Sequence, residues 1–163
     1  MKHTRVGAVF TSGFILISLL KVTSDLMIPE KHNESVSVSE PVGGVATGRQ
    51  LDQWINDARK VMKREGIPGS YDGIHRNIIR ESGGNPRICN DSDVNAKNGI
   101  PSCGLLQVIP PTFEANKLPQ SAYDSAGVKA DADDRMDPVS NIVTACNYAA
   151  HRYGSIDRVS GPY

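Results

Sequence analysis

Leu51, Trp54, Ile55, Ala58, Val61 and Met62 recur at spacings of three and four, the period of one apolar helical face. Thr47-Gly48-Arg49-Gln50 just ahead of them fits a capping box, with Thr47 as N-cap and Gln50 reaching back, so order is expected to begin at Thr47. Gly66 and Pro68 stop this first helix. A second helix is predicted from Tyr71 to Arg80 or Glu81, with Asp72 as its cap and Ile74 and Ile78 on its buried face. Ser82-Gly83-Gly84-Asn85-Pro86 ends it abruptly. Residues 87–101 read as an irregular polar loop, and Gly104-Leu105-Leu106-Gln107-Val108-Ile109-Pro110 as a short apolar segment forming an extended turn. Pro111 opens a short helix through Ala115, and a loop carrying Asp131, Asp133 and Asp134 follows. Asp137-Pro138 then places an N-cap and an N1 proline ahead of a helix to Tyr153, with Gly154 as its C′ residue. Val139, Ile142, Val143, Cys146, Ala150 and Tyr153 share one face of it, with Asn141, Tyr148 and Arg152 opposite and Ala145 beside them. The pattern predicts a mainly α chain.

The pattern changes character toward the start. Lys2, His3 and Arg5 precede an apolar run from Val6 to Leu20 that Lys21 closes, the n-region and h-region of a secretory signal. The run is short for a bilayer span, and Val22-Thr23-Ser24 offers short residues for cleavage, although no Ala-x-Ala motif is present. Residues 1–24 are therefore expected to be a signal peptide, with a retained membrane anchor as the alternative, and residues 25–48 a flexible polar linker. The globular part then spans 49–163.

Charge adds little. Lys+Arg and Asp+Glu stand at 18 each, so no strong field points to nucleic acid, while a neutral sugar polymer fits that balance. Export would place Cys89, Cys103 and Cys146 where a disulfide persists. Three pairings are open; Cys89 with Cys103 is preferred because both flank a polar loop, whose closure stabilises by roughly 3 kcal/mol. Cys146 sits among apolar neighbours, as a small core residue would.

Among residues able to do chemistry, Glu81 stands apart. It follows Ile78 by three and Ile74 by seven, so its carboxyl emerges on the apolar side of the helix. The negative end of the helix dipole and burial both favour its protonated form, which suits a general acid. Other chemistries find no support. His3, His32, His75 and His151 form no His-Glu-x-x-His arrangement, no Cys-x-x-Cys or Gly-x-Ser-x-Gly is present, and the aspartates do not match an EF-hand loop. No metal or cofactor is expected.

Glu81-Ser82-Gly83-Gly84-Asn85-Pro86, then Gly104 to Pro110, then Asn141-Ile142 through Tyr148 resemble, in order, three motifs of the soluble lytic transglycosylase domain, which belongs with the goose-type lysozyme-like folds. The resemblance covers about Leu51 to Gly154 and implies a small, mainly α lysozyme-like domain of the α+β lysozyme superfamily. It implies that Glu81 is the catalytic acid/base, that Gln107 lines the sugar cleft and that Tyr148 sits close to the carboxyl; Ser82 and Asn141, in the same motifs, are carried as substrate-binding residues. Ala145 stands where the family usually has Gly, and Leu106 where Met is common, a volume-conserving change. The loop holding Cys89 and Cys103 is longer than in the simplest members. The implied partner is the peptidoglycan glycan strand, cut between N-acetylmuramic acid and N-acetylglucosamine with 1,6-anhydro ends, by a monomer that is secreted or held at the cell envelope. Two other readings stay open: a hydrolytic muramidase in which Asp91 or Asp93 activates water, and a wall-binding or assembly protein with weak activity.

Overall fold

In the computed structural model, which describes residues 44–161, the regular structure is almost all helical: α1 Gly48–Glu65, α2 Tyr71–Ser82, α3 Val94–Lys97, α4 Pro110–Asn116, α5 Gln120–Ser125 and α6 Pro138–Tyr153, then a 3₁₀ turn at Ile156–Arg158. Extended structure among the described residues amounts to two isolated antiparallel bridges, Cys89 with Cys103 and Cys103 with Val108. The signal or anchor expected over 1–24, and the linker up to residue 43, lie outside the described residues.

The caps show why the longer helices begin and end where they do. Thr47 accepts from the Gln50 N–H while the Gln50 side chain accepts from the Thr47 N–H, a complete capping box, and Gly66 closes α1 in the left-handed region. The last residues of the expected linker are held too, since the Ala46 N–H donates to the Gly84 carbonyl at 3.1 Å. At α6 the Asp137 carboxylate accepts from the N–H groups of Val139 and Ser140, Pro138 takes the first turn, and Gly154 caps the far end.

Several boundaries and two short helices differ from expectation. Ser70, not Asp72, caps α2: its hydroxyl accepts from the Gly73 N–H, and Asp72 lies inside the first turn. The 87–101 loop contains α3, capped by Asp93, whose carboxylate accepts from the Ala96 N–H at 2.8 Å. Helix α4 opens one residue earlier, at Pro110. Helix α5 falls in a stretch read as loop; six residues are too few to show a helical period, and the buried pair Ala122 and Tyr123 holds it in place.

The core gathers around α6, which packs against α1, α4 and the 3₁₀ turn. It is consequently buried nearly all round, including Ser140, Asn141, Thr144 and Ala145, so the expected division into apolar and exposed faces gives way to a central helix. Small residues permit neighbours to approach on several sides. Tyr153, expected on the buried face, is exposed at the last turn. Cys146 is a wholly buried free thiol, pushed well above its usual pKa by burial.

Candidate active site

A cleft of about 300 Å³ opens between the C-terminal end of α2, the 90–95 segment, the 102–112 segment and α6. Glu81, Asp93, Gln107 and Tyr148 line it, with Leu106 and Ala145 among the apolar walls.

Glu81 occupies the last turn of α2, before Gly83 ends the helix at φ 60°. Its side chain is only 13% exposed, so the carboxyl is recessed as the apolar spacing predicts. The spacing does not foretell its companion. The Arg80 Nε donates to Glu81 Oε1 at 3.0 Å. Ser82 points elsewhere: its hydroxyl donates to the Ile78 carbonyl and accepts from the Gly84 N–H, each at 3.2 Å, which shapes the turn after Glu81. Among the described residues it does not line the cleft.

The opposite wall is a miniature hairpin. Cys103 and Val108 exchange backbone bonds at 3.2 and 3.0 Å, and Gly104-Leu105-Leu106-Gln107 closes the turn. Gln107 has φ 47°, an uncommon conformation for a side-chain-bearing residue, and its carboxamide holds the turn together. Nε2 donates to the carbonyls of Ile88 and Gly104 at 3.0 and 2.9 Å, and Oε1 accepts from the Ser102 hydroxyl at 3.3 Å. The disulfide between Cys89 and Cys103 ties the same wall to the polar loop.

Asn141, carried from the sequence as a substrate-binding residue, lies behind the cleft wall and not in its lining. It is fully buried; Oδ1 accepts from the Leu106 N–H at 2.8 Å, and Nδ2 donates to the carbonyls of Cys103 and Arg135 at 3.2 and 2.9 Å. Gly104 makes room for it, since a Cβ there would meet Asn141 Nδ2 at 2.4 Å. Arg135 completes the clamp with Nη1 bonds to the carbonyls of Pro101 and Val108 at 2.8 and 2.6 Å. Phe113, 2% exposed, packs in the core.

The transglycosylase SLT domain model matches residues 69–162, a stretch containing every cleft residue named above. The chain belongs to the SLT transglycosylase family. Its relatives include the uncharacterised protein YqbO of Bacillus subtilis (strain 168), 36% identical over 133 residues that make up 81% of this chain. The chain spans 7% of that protein's length. No solved structure matches.

This SLT domain brings Glu81, Gln107 and Tyr148 to one cleft while placing Ser82 and Asn141 in its supports. Arg80 and Arg135 escaped the sequence reading. Their partners are a neighbouring carboxylate and distant backbone carbonyls, which leave no periodic trace.

Proposed function

We infer that this SLT domain is a peptidoglycan lytic transglycosylase, cutting the β-1,4 bond between N-acetylmuramic acid and N-acetylglucosamine with Glu81 as its one acid/base. The observation that carries this reading is a recessed carboxyl at a helix end, inside a cleft walled by the Gly104–Gln107 turn and Tyr148. The Glu81 carboxylic acid donates its proton to the glycosidic oxygen as the C1–O bond breaks. The substrate's own N-acetyl carbonyl meets the positive charge developing at C1, so no second carboxylate is required. The carboxylate of Glu81 then takes the proton from O6–H while O6 bonds to C1, closing the 1,6-anhydro ring; no water is consumed and Glu81 ends protonated as it began. Gln107 and Tyr148 are the substrate-contacting candidates. Such a substrate places the working protein at the cell envelope.

One observation favours a hydrolytic reading: Asp93 lines the same cleft. Its oxygens are engaged, however, Oδ1 by the Ala96 N–H and Oδ2 by the Asn90 side-chain amide at 3.2 Å, which is the work of a helix cap. Asp91 is exposed and does not line the cleft. The lyase reading therefore stands ahead.

Glu81→Gln tests the assignment. The amide keeps the shape and loses the proton, so release of soluble fragments from purified peptidoglycan should fall at least ~10²–10⁴-fold while the thermal transition is retained. A folded Glu81→Gln protein with near-wild-type turnover would remove Glu81 from the mechanism.

A further inference from the structure

Glu81 does not control its own orientation. Residues adjacent on a helix point about 100° apart, so a side chain that reaches its neighbour's carboxylate must fold along the helix and be held there. Arg80 is held by Asn77, one turn earlier, whose Oδ1 accepts from Arg80 Nη2. Asn77 is fully buried, and its Nδ2 donates to the carbonyls of Gly73 at 2.7 Å and Ile156 at 3.3 Å. A continuous chain of polar contacts thus runs from the 3₁₀ turn through Asn77 and Arg80 to the cleft carboxyl. Both Arg80 contacts, Nε and Nη2 at 3.0 Å, fall on Oε1.

We propose that Arg80 is the positioning residue of Glu81: anchored by Asn77, it fixes the carboxyl through Oε1 and leaves Oε2 as the oxygen that gives and takes the proton. The inference rests on the acid/base role of Glu81. A carboxyl gripped on one oxygen presents the other in a single direction, which a group acting first as acid and then as base requires, because both steps occur at neighbouring oxygens of one sugar ring. A grip of this kind on one oxygen acts through orientation of the carboxyl. Asn77 commits both of its polar atoms to this path, as a buried anchor must. The only member of the path that touches the reacting atoms is Glu81.

The test compares wild type, Arg80→Met, Arg80→Lys and Glu81→Gln, each in the full chain, with kcat and KM measured on purified peptidoglycan and thermal unfolding recorded beside them. Arg80→Met keeps the aliphatic stem and removes the donors; its kcat should fall by roughly 10–100-fold with KM changed less than about twofold and the unfolding midpoint retained, the pattern of a misplaced catalytic group. Arg80→Lys supplies a point charge without the fork and should recover part of that loss. Wild-type kcat in Arg80→Met, or a raised KM at unchanged kcat, overturns the proposal while Glu81→Gln remains inactive and the Glu81 assignment stands. Activity in Glu81→Gln overturns both together. A kcat loss that Arg80→Lys does not lessen, or that tracks a lowered midpoint, assigns Arg80 to structure and also overturns it.

Discussion

The carboxamide of Asn141 spends all its bonds on main chain: one accepted from Leu106 and two donated to the carbonyls of Cys103 and Arg135. Gln107 commits its amide donors in the same way from within the cleft, to the Ile88 and Gly104 carbonyls, while its Oε1 accepts from the Ser102 hydroxyl. At the residue scale the floor of this site is built from amide side chains substituting for a β-sheet, which a turn of four residues cannot supply for itself. Asn141→Ala should therefore be costly. It orphans a buried N–H and removes one donor from each of two carbonyls, and each buried unsatisfied group costs about 1–3 kcal/mol. Denaturant unfolding should show a loss of at least ~2 kcal/mol. Unchanged stability would mean that the turn holds its shape without the clamp. The same chemistry explains why the sequence alone does not place Asn141. An asparagine suits a sugar hydroxyl and a backbone amide equally well, and only its burial tells the two apart.

Elements with strong local signals were legible, and those made by tertiary contact were not. The capping box of Thr47 and Gln50, the Asp137-Pro138 start and the Gly66 and Gly154 ends are local chemistry, and α1 and α6 follow them closely. Helices α3 and α5 are too short for periodicity, and the 3₁₀ turn is defined by what it grips. That grip centres on Asp157. Burial acts to raise its pKa, but hydrogen bonds from the hydroxyls of Ser70 and Ser155, the Ser70 N–H and the charge of Arg76 outweigh it and hold the carboxyl below its usual range. Gly73 on α2 is pressed against this carboxylate: a Cβ there would lie 1.9 Å from Asp157 Oδ1. In an ordinary helix interior Gly→Ala stabilises by roughly 0.5–1 kcal/mol. Here the sign should reverse, because Asp157 cannot yield without breaking its bonds to Ser70 and Ser155. Gly73→Ala should destabilise by about 1–3 kcal/mol in denaturant unfolding. A gain in stability would show that the 3₁₀ turn docks loosely on α2, and would weaken the path from Ile156 through Asn77 to Arg80.

For the molecule as a whole, the order of motifs told more than any single residue. Three short segments separated by tens of residues meet at one cleft because α6 is central: α1, α4 and the 3₁₀ turn pack on it, α2 packs on α1 and the 3₁₀ turn, and Asn141 ties the hairpin to it. The carboxyl on α2, the turn at 104–107 and Tyr148 on α6 were each visible in the sequence. Their supports, Arg80, Asn77 and Arg135, were not, because a side chain bound to distant carbonyls or to its own helix neighbours repeats with no period. Of the two aspartates that the hydrolytic reading named from the sequence, Asp93 lines the cleft, and it is the feature that competes with a single-carboxylate mechanism. Mass analysis of the muropeptides released from purified peptidoglycan decides between the two most directly. The account predicts non-reducing 1,6-anhydro ends, one water lighter than hydrolytic products and resistant to borohydride. Reducible muramic ends as the main product would contradict it and transfer the second catalytic role to Asp93.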